Sequence, residues 1–183
     1  MSCMTAASQS EGLIQQFETS ARRSAATTQR ISRSPSAIAE AVFGLVPQRA
    51  RLAISDPVDL APDLFTESWK HPGVIRERTR SALSTADAGL TEGFAAVARS
   101  GSICVRADRG FIGYVSLLPR LHIAVVDSSC IVERPRDLFG GRLAVHGLEH
   151  NFVFITGPSA TADMGPLVRG VHGPHRLHVL LLI

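Results

Sequence analysis

A three-layer α/β fold, with a mostly parallel sheet and helices on both faces, is what this 183-residue sequence predicts, on three observations. Leu121 to Val126 and Leu177 to Ile183 are near-continuous apolar runs, the pattern of strands buried on both faces. Ser34-Pro35, followed by Ile38, Ala41, Val42 and Leu45, marks an amphipathic helix with proline at its first position. Strand-sized and helix-sized segments alternate between these landmarks at the spacing of crossover units, which join parallel strands.

In chain order, residues 1–9 are small and polar and read as disordered. Ser10 caps a short helix with Leu13, Ile14 and Phe17 on one face. Residues 20–33, rich in Ser, Thr and Arg, read as a mobile connector ending in a short strand near Gln29. The helix from Pro35 follows, then a strand over Arg51–Ser55 that Asp56-Pro57 ends. A helix around Asp63 to Trp69, a short strand at Gly73–Ile75 and a helix over Arg76–Ser84 continue the alternation. Ala88–Thr91 reads as a strand, Glu92–Ala98 as a helix, Ser102–Arg106 as a strand. A helix-like piece runs through Leu118, and Pro119 breaks it. Asn151–Ile155 is an apolar, aromatic run that predicts another buried strand.

A chain of this length builds one domain that buries roughly 70 per cent of its unfolded surface. No apolar run approaches the roughly 18 residues of a membrane span, and Met1 to Ala7 carries no basic cluster before an apolar core, so the cytoplasm is the expected compartment. The formal charge is +3, almost all of it arginine, with Lys70 the single lysine. The densest basic patch, Arg76 to Arg80, has no interleaved aromatics and reads as a solvated face, so no nucleic-acid partner is expected. Cys3, Cys104 and Cys130 have no CxxC spacing, which excludes a self-contained four-thiolate cluster and a disulfide framework.

Two polar segments follow or precede apolar strands at the end of the chain: Thr156-Gly157-Pro158-Ser159-Ala160-Thr161-Ala162-Asp163, and Val171-His172-Gly173-Pro174. Their glycines permit close backbone approach, their prolines fix turns, and Ser159 and Thr161 offer hydroxyls beside free backbone N–H groups. Such loops can hold a small anion; the same residues can instead cap a helix and close a turn. In open parallel sheets ligands collect at the carboxyl ends of strands, where the first loop is expected. His172 is a candidate acid–base group or anion contact, whereas His122 and His178, inside strands, read as satisfied core histidines. His146-Gly147-Leu148-Glu149-His150 matches the H-x-x-E-H spacing of zinc peptidases. Gly140, Gly141 and Gly147 argue against the helix it needs, so no metal site is expected.

Ile155 to Asp163 and Gly170 to Val179 resemble the two signature blocks of the LutC/YkgG lactate-utilisation family, also called the LUD domain. Ala86–Thr91, Ala98–Ser102 and Ser116–Pro119 with His122-Ile123 extend the resemblance over residues 86 to 180. It implies a single LUD-type domain over residues 1–183, on a fold like the NagB/RpiA/coenzyme A transferase group. It also implies an accessory role in oxidising L-lactate to pyruvate, with iron-sulfur clusters in partner proteins and no cofactor in this chain. Ligand binding, to a small anion, is carried onto Gly101, Ser102, Thr156, Gly157, Ser159, Thr161, Asp163, Gly170, His172 and Gly173. Two positions depart from the family's pattern. Arg99 stands where the family has an acid, which removes the nucleophile of a glutamate-based transfer, and Met164-Gly165-Pro166 follows Asp163 where an acid is common. The alternative is a stand-alone enzyme on a sugar-phosphate isomerase-like fold, acting on a sugar-phosphate or coenzyme A-type anion, with Asp163 and His172 as catalytic acid and base.

Overall fold

The two apolar runs lie side by side in the middle of a five-stranded parallel sheet in the computed structural model, which describes residues 6–108, 110–140, 151–161 and 168–183. Across the sheet run β1 (Thr27–Ile31), β11 (Arg176–Leu182), β6 (Leu121–Asp127), β3 (Ala88–Gly93) and β2 (Leu52–Ile54). Register is set by Arg176 opposite Leu121 and Leu121 opposite Ala88. Because β6 and β11 are covered on both faces, alternate residues feed two separate cores. Ile123, Val125 and Leu180 face one way; Ala124, Val126, Val179 and Leu181 face the other.

The first core is closed by α2 (Pro35–Leu45), whose Ile38 and Val42 are wholly buried. Each such side chain contributes about 1.5–3 kcal/mol of burial. Ser34 caps this helix by accepting from Ala37 N–H at 3.2 Å. The second core is closed by α1 (Ala6–Arg23) through Ile14, Phe17 and Ala21, together with a second sheet. That sheet is mixed: β7 (Ile131–Val132), β4 (Ala95–Val97), β5 (Ser102–Arg106) and β8 (Phe152–Ile155), with β5 antiparallel to both of its neighbours. The short helices α3 (Arg80–Leu83), α4 (Ile112–Leu117) and α5 (Pro135–Phe139), and the two-stranded ribbon of β9 (Ala160–Thr161) with β10 (Val168–Arg169), complete the described elements.

The layered α/β architecture agrees with expectation, as do α2, β5, β6 and β11. Several elements differ, each for a tertiary reason. Helix α1 begins four residues before Ser10, at Ala6, and residues 20–33 are its last turn, a turn through Ala25 at φ 61° and strand β1. Arg30 draws β1 onto α1 by bonding Glu11 and Glu18, both at 2.9 Å, a pairing no local pattern announces. Glu92–Ala98, expected as a helix, is the end of β3 and all of β4. Every residue there is buried, so neither helical nor strand periodicity is visible. Asp63 to Trp69 folds as two single 3-10 turns, Pro62–Phe65 and Ser68–Lys70. Gly73–Ile75 contributes one bridge, Val74 to Leu52, and Arg76–Ser84 is helical only over α3. Strand β8 lies outside the parallel sheet and is half open, with Val153 and Phe154 exposed. Among the described residues no helix is long and apolar enough to cross a membrane.

Candidate functional site

The two Gly-Pro loops meet. Strand β8 ends at Ile155 and delivers Thr156 to Ser159; the second loop, 170–174, runs into β11. Ser159 N–H donates to Pro174 C=O at 2.9 Å, and Gly170 N–H donates to Ser159 C=O at 2.8 Å. Each loop thereby satisfies backbone groups of the other, which holds both in one shape. Between them, α4 and the sheet is a cavity of about 250 Å³. Thr156, Ser159 and His172 give it polar groups, Gly173 lets the loops close to contact distance, and Leu117, Phe154 and Leu177 give it apolar walls.

The cavity lies at the amino ends of β6 and β11, because the 170–174 loop precedes β11 and the cavity touches His122, the second residue of β6. The expectation of a carboxyl-end site is corrected here. It assumed that the strand before Thr156 belongs to the parallel sheet, whereas β8 pairs antiparallel to β5 in the second one.

The remaining candidate residues divide. Gly157 has φ 72° and presses against the Ser24 carbonyl, where a side chain would collide. Ser102 does not touch the cavity but holds the loop that does: its Oγ lies 2.6 Å from Thr156 Oγ1 and 2.7 Å from Ser100 Oγ, a three-hydroxyl chain from the 99–102 turn to the cavity wall. Gly101 packs on the backbone of Ser20 and Ala21 in α1. Thr161 sits in β9 opposite Val168, and Gly170 packs on the His175 ring; neither lines the cavity. Asp163 and the His146 to His150 spacing lie outside the described residues. Arg99 is exposed in the turn before Gly101, its N–H donating to Glu133 C=O at 3.1 Å.

Two features escaped sequence reasoning. His122 is wholly buried yet contributes to the cavity wall; its Nε2 is 2.8 Å from Thr91 Oγ1, and its Nδ1 has no partner among the described residues. Burial pushes its pKa down to about 3, so the ring is neutral. The only signal in the sequence was a histidine inside an apolar strand. At the carboxyl end of β3, Glu92 is buried and its carboxylate accepts from Val58 N–H at 2.6 Å, Asp59 N–H at 3.0 Å and Leu60 N–H at 2.8 Å. Burial raises its pKa against the lowering effect of those bonds. This carboxylate pins the 58–60 loop over the sheet.

A family model described as the LUD domain matches residues 53–182. Among curated proteins, "Lactate utilization protein C" of Macrococcus caseolyticus is 40% identical over 94 residues, covering 49% of this chain and 41% of that protein. Proteins of the same name from Halalkalibacterium halodurans and Deinococcus radiodurans are each 36% identical, covering 60% and 57% of this chain and 49% and 50% of their own lengths. The chain spans about half the length of the curated relatives it matches. Among solved structures, a DUF162 family protein from Deinococcus radiodurans superposes with a TM-score of 0.67 at 26% identity, covering 95% of this chain and 98% of that one.

Proposed function

The chain belongs to the LUD-domain family, and from that premise we propose that it is an accessory component of L-lactate oxidation to pyruvate, binding a small ligand in the cavity between its two Gly-Pro loops and working beside iron-sulfur partner proteins. The observation that carries this reading is the mutual hydrogen bonding of the loops around Ser159, because Thr156 to Ser159 and His172 to Pro174, which belong to the segments that resemble the family's signature blocks, supply much of the cavity's lining. Relatives named for lactate utilisation support the pathway.

The ligand's place follows from the chemistry of the walls. Thr156 and Ser159 hydroxyls and the His172 imidazole can meet an oxygen-rich group, while Leu117, Phe154 and Leu177 accept a short apolar body. Iron-sulfur clusters are assigned to partners. Cys104 and Cys130 are both buried and sit in one apolar cluster, and burial raises the Cys104 thiol to about 12, which disfavours the thiolate a cluster needs.

The test is growth of a deletion strain on L-lactate as sole carbon source, complemented by wild type or by a Ser159→Ala, His172→Ala double variant shown to fold. Wild type is expected to restore growth and the variant to restore it poorly. Undiminished growth of the deletion strain would overturn the lactate role, and full rescue by the variant would overturn the site.

A further inference from the structure

The two edges of the five-stranded sheet are not alike. At one end β2 is three residues long, and Val74 bridges its Leu52 on the outer side. At the other end β1 is five residues long and has β11 as its single strand neighbour among the described residues. Which of its backbone groups stay free follows from the register. Ile183 N–H donates to Ile31 C=O at 3.0 Å, and Ile31 stands opposite Leu182, so Ile31 turns its backbone groups toward β11. In a parallel pair such residues alternate along the strand. Thr27 and Gln29 therefore face β11 as well, while the N–H and C=O of Thr28 and Arg30 point away from the sheet. An open edge of this length ordinarily carries a device against pairing, such as a proline, a bulge or an outstanding charge. The sequence Thr-Thr-Gln-Arg-Ile has no proline and its register with β11 is unbroken. Its one charge, Arg30, is held by Glu11 and Glu18, both at 2.9 Å. Beside the edge lies an open groove of about 780 Å³ between β1 and α2, with Gln29, Ile31, Ala37, Ala41 and Gly44 in its walls.

We infer that β1 is the surface through which two copies of this chain pair, the edge of one lying antiparallel to the same edge of the other about a two-fold axis at Gln29. That register sets Thr28 of each copy opposite Arg30 of the other. In an antiparallel pair, directly opposed residues of one kind exchange both of their backbone bonds, and here those are the two residues whose groups point outward. Four N–H···O=C bonds form, and no outward group of Thr28 or Arg30 is left over. Charge and side-chain fit favour a second copy over an unrelated strand. Arg30 is matched within its own copy, so pairing sets no bare guanidinium against its twin. On the opposite face the two Gln29 side chains meet over the groove, where each amide can donate to and accept from the other. Ala37, Ala41 and Gly44 keep the α2 wall of that groove low, which leaves space for the added strand. The contact is isologous and closed: each edge is consumed by one mate, so assembly stops at a dimer with one continuous ten-stranded sheet.

Sedimentation velocity of the full chain over a concentration series is expected to show a monomer giving way to a dimer, and a chain that stays monomeric throughout overturns the inference. Thr28→Pro deletes an outward N–H at an edge position, where proline is tolerated, and puts a ring in the path of the second strand. It is expected to stay folded by circular dichroism and to raise the dimer dissociation constant by about 10-fold or more. If Thr28→Pro does not fold, Gln29→Lys serves: the position is exposed, and two ammonium groups then oppose each other across the axis, so the dimer weakens and salt restores it. A dimer that the folded variant leaves unchanged overturns the inference. Disulfide trapping reads the register itself. Gln29→Cys, in a chain also carrying Cys3→Ser and with Cys104 and Cys130 buried, brings two thiols face to face. Their Cα atoms lie about 4.5 Å apart in such a pair, within the span of a disulfide. Mild oxidation is expected to give a covalent dimer at position 29, whereas Thr27→Cys, opposite Ile31 of the other copy, gives none. Trapping at position 27 in place of 29, or at neither, overturns the inference.

Discussion

Arg106 on β5 donates to Asp59 Oδ1 at 2.6 Å, with the two side chains 7% and 8% exposed. The pair joins the second sheet to the loop that Glu92 pins over the first. Taking two charges out of water is costly, and their attraction offsets it only while both are present. Asp59→Ala is therefore expected to destabilise the fold by about 3–5 kcal/mol, by urea unfolding, because Arg106 is left buried and unpaired. The Asp59→Leu, Arg106→Met double variant is expected to recover much of that loss. Additive losses in the double variant would argue against a coupled pair.

Acid should unfold the protein through its buried histidines. His122 takes its proton at about pH 3 in the folded chain and near 6.5 when unfolded, and burial together with Arg176 lowers His178 in the same direction. Between those values the unfolded state binds more protons, so stability is full above about pH 6.5 and falls as pH drops below it. The slope approaches about 1.4 kcal/mol per pH unit for one such group. Urea midpoints from pH 8 to 5 check this, and a flat profile would contradict neutral burial of these rings.

Glycine substitutions should have opposite signs at two positions. Gly157 has φ 72° and faces the Ser24 carbonyl at contact, so Gly157→Ala adds backbone strain to a collision and is expected to cost about 2 kcal/mol or more. Gly12, inside α1, has nothing within 4 Å of where a Cβ would sit, so Gly12→Ala is expected to stabilise by about 0.5–1 kcal/mol. Thermal midpoints of the two variants against wild type decide both signs.

Loss of the α2 cap should be modest. Ser34→Ala removes the acceptor for Ala37 N–H and is expected to cost about 1 kcal/mol, while Ser34→Asp is expected to be near neutral. A Ser34→Ala effect within error by chemical denaturation would mean that the Pro35 turn alone fixes the helix start.

What could be read from the sequence is what neighbours along the chain decide. Ser34-Pro35 and the Ile38, Ala41, Val42 spacing mark α2 because cap, proline and helical period act within one turn. The apolar runs of β6 and β11 mark central strands because only a doubly covered strand has no polar face. The Gly-Pro loops around Ser159 and Gly173 were visible because their residue types are demanded by local backbone geometry. Residues 92–98 were illegible for the converse reason: Phe94 to Ala98 is buried throughout, and small apolar residues without a period fit a helix or a strand equally well. The direction of β8, the placing of the cavity at the amino rather than the carboxyl end, the clasp of Arg30 by Glu11 and Glu18, and the Thr91 to His122 bond all join segments distant in sequence. By itself, then, the sequence determined the element types wherever local periodicity and turn chemistry suffice, and with them the family's signature loops. The tertiary structure alone decided which strand ends face those loops and which buried nitrogens are left unmatched, because pairing direction and hydrogen-bond satisfaction depend on partners that sequence distance conceals.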